Sequence, residues 1–195
     1  MLALVLDTST PAVTAGLVDL DDLTVVAEAV EVDARRHGEL LALNVREVLR
    51  HGQPDTVVVG VGPGPFTGLR VGIVTAAAFA EARGLPVTGV CSLDGLAAPF
   101  TGVVTDARRK EVYWARYDEA GARVDGPHVT KPDEAREALA GRRIVGDGAL
   151  LYGFATEDAP RYPQVAALAR ASLTQHLPLT PLYLRRPDAV ELSRS

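Results

Sequence analysis

Apolar and polar positions alternate in blocks of strand and helix length along this chain. LALVL (2–6) and VTAGLV (13–18) are short apolar runs parted by DTSTP, a turn of one acid, three hydroxyls and a proline, and they predict a hairpin. DDLTVVAEAVEV (21–32) continues as a third strand, and 37–51 carries its apolar residues at helical spacing. DTVVVGV (55–61) predicts a buried strand, 67–83 a helix, and LPVTGVC (85–91) another strand, with Ser92 placed to cap a brief helix at 93–98. After Pro99 the pattern restarts. GVVTDA (102–107) and EVYWARYD (111–118) predict strands, EAGAR a turn, and Pro132 with Asp133 and Glu134 opens a helix. RRIVGDG (142–148), a helix at 164–173 and a closing strand near PLYLRR (181–186) complete the chain. Strands mixed with helices and consecutive hairpins indicate an α/β or mixed α+β fold, not a pure parallel sheet.

The restart reads as an internal repeat, with a chance match of short alternating stretches as the alternative. Shifting the chain against itself by 99 positions sets Asp7 on Asp106, Val13 on Val112 and Asp19 on Asp118 without a gap. Each copy reads as apolar strand, Asp, polar turn, strand. Two related lobes are expected, 1–100 and a smaller 101–195 that includes the C-terminal segment.

Composition narrows the classes. With 47% apolar residues the chain can bury a core. The run before Asp7 is too short for a membrane span and lacks a basic leader, so it reads as a core strand. Cys91 is the single cysteine, which excludes an internal disulfide and points to the cytoplasm. A net charge of −5 argues against direct nucleic-acid binding, although Arg pairs at 35–36, 108–109, 142–143 and 185–186 make local basic spots.

GVGPGPFTGLRVG (60–72) is the glycine-rich loop that asks for a phosphate. It lacks the Lys-Ser/Thr of a P-loop and the GxGxxG spacing of a Rossmann turn, and Pro63 and Pro65 each remove a backbone donor. A rigid turn with Thr67 as N-cap is the expectation, with anion binding at the helix start as the alternative. No metal is expected: His37 stands alone on its helix, and no Cys/His cluster occurs. Cys91 at a strand end reads as an inert buried thiol. Neither GxSxG nor HExxH is present, so no peptidase chemistry follows.

Two helices carry more apolar surface than one sheet can cover. Leu41, Val45 and Val48 belong to an apolar arc of about 200° on the first, where about 100° suffices for burial. On the second, Gly68, Gly72, Ala76 and Ala80 recur every four residues beside Leu69 and Ile73. That stripe suits the close approach of a partner helix; cover by the chain's own second lobe or a loop is the alternative.

DTST (7–10), His37-Gly-Glu-Leu-Leu, GPGPFTGLRVG (62–72), DARRKEVYWARY (106–117) and PLYLRRP (181–187) together, in order and across nearly the whole chain, resemble the TsaB (YeaZ) family. The resemblance implies an actin/Hsp70/sugar-kinase-like fold (ASKHA) of two related lobes, the second shortened. It implies a non-catalytic dimerisation subunit, without cofactor, in threonylcarbamoylation of adenosine 37 of ANN-decoding tRNAs. Its partners would be a larger TsaD-like catalytic homologue, a TsaE-like ATPase joining the pair, a second copy of itself when alone, and tRNA only through the complex. A weak nucleotide cleft would use Asp7, Thr8, Ser9, Thr10 and Asp106; Arg108, Arg109 and Lys110 replace the glycines that superfamily kinases carry at the second turn. The competing class is a small phosphotransferase or ATPase acting through Asp7 and Asp106.

Overall fold

The computed structural model describes residues 1–154 and 160–185. In the first sheet, β1 (Leu2–Asp7), β2 (Ala12–Asp19) and β3 (Val25–Val32) form antiparallel pairs. After helix α1 (His37–Val48), β4 (Thr56–Gly60) lies parallel to β1. Helix α2 (Phe66–Arg83) then returns the chain to β5 (Val87–Val90), parallel to β4, and the order is β3-β2-β1-β4-β5.

β1 and β4 are apolar almost throughout because both of their faces are covered. Leu4, Leu6, Val57 and Val59 pack under α1 and α2. Ala3, Val5 and Val58 on the opposite face pack against Val165, Leu168 and Ala169.

The second sheet repeats the plan in smaller form. β6 (Thr101–Asp106), β7 (Val112–Tyr117) and β8 (Arg123–Thr130) are antiparallel; after α3 (Pro132–Ala138), β9 (Arg143–Val145) lies parallel to β6, and α4 (Asp147–Leu151) follows. The order is β8-β7-β6-β9, so each lobe runs β-β-β-α-β-α and the duplication seen in sequence is structural. The ungapped shift holds for β1 and β6, but pairing slips: Asp7 faces Thr14 whereas Asp106 faces Val112. The second turn is therefore one residue shorter.

Two stretches gain an element and two expectations are corrected. A strand, β8, fills the segment between the EAGAR turn and Pro132; its interior Pro127 disguised it, and Pro is tolerated there because β8 is an edge strand. The GDG stretch opens a short helix. Residues 181–185 of the expected closing strand form none, and Arg186 lies outside the described residues. The C-terminal segment does not stay with the second lobe: α5 (Val165–Ser172) packs on the first sheet, and Leu177 bridges Gly89.

Asp94, buried in the short 3-10 turn Ser92–Leu96 between the lobes, ties these pieces together. Its carboxylate accepts from the Tyr117 hydroxyl at 2.6 Å, Arg123 Nε at 3.0 Å and Gln175 Nε2 at 2.5 Å. Three segments are thereby joined to one buried charge, and pairing is what makes burial of that charge tolerable. Burial beside Asp94 also raises the Tyr117 hydroxyl well above its usual pKa, keeping it a donor.

Candidate functional site

The first-lobe turn is closed. Asp7 is 1% exposed; its Oδ1 accepts from the Ser9 amide at 2.9 Å and the Ser9 hydroxyl at 2.7 Å, and its Oδ2 makes no hydrogen bond. Burial raises the Asp7 pKa, opposed by the neighbouring Ser92 hydroxyl and by Ser9. Gly60 is required beside it, since a Cβ there would lie 1.9 Å from Oδ2. Thr8, Ser9 and Thr10 are buried too, so Asp7 has no open path to a substrate and the turn does not present its hydroxyls to a nucleotide.

The lid on this turn is α2. Thr8 Oγ1 donates to the Gly68 carbonyl at 2.7 Å, and a Cβ at Gly68 or Gly72 would meet Thr8 oxygens at 2.4 Å. The small stripe therefore serves the chain's own packing. Gly68, Leu69, Gly72, Ile73, Ala76 and Ala80 are all buried, as are Leu41, Val45 and Val48 on α1. The nine residues expected at a partner interface are thus buried by the chain's own fold: the period-four stripe faces inward because only glycine and alanine let the helix lie against the Thr8 backbone and the strands beneath. The cap expectations are corrected. α2 starts at Phe66 after Pro65 with no side-chain cap, and Ser92 Oγ instead accepts from the Gly62 amide at 3.0 Å.

The outward faces carry apolar residues that periodicity had passed over. Val74 is 65% exposed on α2, Leu43 is 43% exposed on α1, and Phe66 at the start of α2 is 41% exposed. Phe66 stacks on Tyr183 with ring centroids 5.0 Å apart, and the Arg70 guanidinium lies 3.9 Å from its centre. An interruption of the inward pattern by Leu43 and Val74 was the available signal.

The second-lobe turn is open. Asp106 Oδ1 accepts from the Arg108 amide at 2.8 Å and the Tyr152 hydroxyl at 3.2 Å, and Arg108 pairs with Oδ2 at 3.2 Å. Arg108, Arg109 and Lys110 take left-handed backbone angles, φ 62°, 53° and 60°, and stand exposed. Arg185 braces the turn, donating to the Ala107 carbonyl at 2.9 Å and pairing with Glu111. Asp147 was missed in the sequence. It holds the Asp106 and Gly148 amides at 3.3 and 2.9 Å, and burial lifts its pKa to about 6. Its Gly-Asp-Gly setting was the signal.

His37 Nε2 lies 2.9 Å from the Thr10 carbonyl, which can only accept, so this nitrogen carries the hydrogen. Cys91 is buried, with its thiol pushed up to about 12 by burial and Asp94, a setting without nucleophilic character. Among the described residues no three His, Cys, Asp or Glu side chains group as metal ligands, and no helix is long and apolar enough to cross a membrane.

Two β-β-β-α-β-α lobes, with an Asp at the end of each first strand, define a protein of the actin/Hsp70/sugar-kinase class. Residues 25–175 match the family model described as TsaD: tRNA N6-adenosine threonylcarbamoyltransferase. An uncharacterised Mycobacterium leprae protein is 48% identical over 96% of this chain, which spans 56% of that protein's length. The Escherichia coli tRNA threonylcarbamoyladenosine biosynthesis protein TsaB is 33% identical over 76% of this chain and 72% of its own. A Pseudomonas aeruginosa structure, described as an uncharacterised protein with similarity to peptidase YeaZ, superposes with a TM-score of 0.76 at 26% identity, covering 94% and 99% of the two chains. The chain belongs to the TsaB (YeaZ) family.

Proposed function

We propose that this chain is the scaffold subunit of the machinery that builds N6-threonylcarbamoyladenosine in tRNA, pairing with a larger TsaD-type homologue and doing no chemistry itself. Its TsaB kinship supports the pathway, and its match to the TsaD-type model supports a partner of related fold. One observation carries the scaffold role. The first turn is sealed under the chain's own α2, while Leu43, Phe66 and Val74 stand exposed on α1 and α2. Apolar side chains on helix faces are what a docking helix removes from water. Without the larger homologue, the same faces pair two copies of this chain. A TsaE-type ATPase joins the heterodimer in the cytoplasm, and tRNA engages only the assembled complex.

Val74→Arg tests this reading. The position is mostly in water, so the variant keeps its circular dichroism and melts within about 0.5 kcal/mol of wild-type stability. Co-purification with the larger homologue falls at least about tenfold, since an unpaired charge is driven into the interface, and threonylcarbamoyl transfer falls with it. Undiminished pairing by the folded variant would overturn the proposal.

A further inference from the structure

An open sheet ends on two strands whose outward N–H and C=O groups lack a partner, and most of the sheet ends in this molecule are protected. β5 is met by Leu177, which exchanges two hydrogen bonds with Gly89 at 3.0 and 2.9 Å. β8 is interrupted by Pro127, and β9 is only three residues long. β3 has neither device. It runs for eight residues without proline and pairs with β2 alone among the described residues. Beyond that ladder, the one bond to its backbone among the described residues comes from Asn44 Nδ2 to the Ala29 carbonyl, at a long 3.4 Å. Val25, Val26, Val30 and Val32 are between 41% and 57% exposed along it, and no other described strand exposes more than one large apolar side chain.

A groove of about 360 Å³ runs beside this edge, between Val25, Glu28 and Val30 of β3 and residues 161–166, which lead into α5. The register explains it. Glu28 is paired with Gly16, and a Cβ at Gly16 would meet Val165 at 2.8 Å, so this face of β2 is pressed against α5 while the same face of β3 stands beyond its cover. Tyr162 and Pro163 give the far wall an apolar body, and Arg161 adds a charge to it. Among the described residues neither Glu28 nor Glu31 takes part in a hydrogen bond or ion pair, so Arg161 does not neutralise Glu28. The surroundings are acidic. Residues 19–33 hold six Asp and Glu and no Lys or Arg, and of these Asp19 and Asp21 are occupied by the N-terminal ammonium.

We propose that the outer edge of β3 takes an extended segment of another protein as a sixth strand of the first sheet, and that this segment combines valine-like and basic side chains. Main-chain hydrogen bonds to an open edge supply affinity, and the groove beside it selects side chains. A strand added at the usual spacing of about 4.8 Å sets its groove-side residues beside Val25, Val30 and Tyr162. A lysine among them lays its stem on the valines and its ammonium beside Glu28. Charge decides the occupant. A second copy of β3 would bring its own Glu28 and Glu31 against these two, and like charges on facing strands repel. A basic strand meets both carboxylates instead. The site uses neither aspartate turn nor the outward faces of α1 and α2, and so goes beyond the scaffold role.

The test is a fluorescence-anisotropy titration of the whole chain against a labelled, end-blocked peptide of alternating valine and lysine, about eight residues long to match a strand. Saturable binding is expected, with the amides of β3 gaining hydrogen-exchange protection in the complex. The valine and glutamate counterpart is expected not to bind. The valine and lysine peptide N-methylated throughout is expected to bind at least about tenfold more weakly, because it cannot complete the ladder. Glu28→Lys/Glu31→Lys is expected to lose about tenfold or more in affinity, whereas Glu134→Lys/Glu137→Lys on α3, with the same change in net charge, is expected to bind as the wild type does. All four positions are exposed, and unchanged circular dichroism verifies the fold of each variant. Absence of saturable binding at millimolar peptide overturns the proposal, as do undiminished binding of the methylated peptide, undiminished binding by Glu28→Lys/Glu31→Lys, or an equal loss in the α3 variant. Self-association of the chain that Val30→Lys abolishes would put a second copy on this edge and overturn it too. Val74→Arg is expected to bind the peptide as the wild type does, so failure of this proposal and failure of helix pairing are read separately.

Discussion

At the end of β1, Asp7 accepts from Ser9 inside a turn whose residues through Thr10 are buried; at the end of β6, Asp106 is followed by Arg108, Arg109 and Lys110 in solvent. The strands before the two turns are related by duplication, so the difference comes from what lies over them. Over the first lies α2, 18 residues long, with glycines against Thr8. Beside the second lies α4, five residues long, which with the residue after it offers Asp147 and Tyr152 but, among the described residues, no lid. Short hydroxyl side chains can satisfy themselves locally when covered, as Ser9 and Thr8 do. Long cations cannot be covered without a partner for each charge, so the uncovered turn is the one that carries them.

The comparison can be broken hardest at the lid. Ala76→Arg places a cation at a position with no exposure, and a cost on the order of 5 kcal/mol is expected, comparable to the whole stability of a small protein. The isolated variant should fail to show a cooperative melt, whereas Val74→Arg on the outward face should melt normally. A folded, monomeric Ala76→Arg would return the stripe to the surface.

Gly68→Ala strikes the contact itself. Its Cβ would meet the Thr8 carbonyl at 2.4 Å, so helix or turn must shift, and a loss of about 3 kcal/mol in denaturant unfolding is expected. The normal preference of helices for alanine over glycine, about 1 kcal/mol, would appear as a gain if the turn were open.

On the second turn the expected signs reverse. Asp147 has a folded pKa of about 6 against 3.8 in model compounds, so its contribution is intact below pH 4 and is lost as pH rises through 6. Asp147→Asn keeps an oxygen for the two amides and removes the buried charge. It should gain about 2 kcal/mol over wild type above pH 7, with the curves converging near pH 4. A pH-independent difference would refute the assignment. The smallest effect is expected from Lys110→Gly, which relieves a left-handed residue at φ 60° and should add about 1 kcal/mol at most. A loss there would mean that the Lys110 side chain holds the turn.

The sequence by itself determined the repeat, most strand and helix positions, and the family, because apolar periodicity and motif order are local or additive properties of the chain. Asp7 and Asp106 were recognisable as equivalents without any coordinates. It did not determine which way α2 faces. Its residues are apolar on nearly all sides, so periodicity could not separate the stripe against Thr8 from the side that carries Val74. Nor could it show that Asp7 is sealed or that α5 crosses back to the first sheet. Those outcomes depend on which surfaces meet after the lobes close, and the energies involved belong to pairs of distant residues rather than to any stretch of chain.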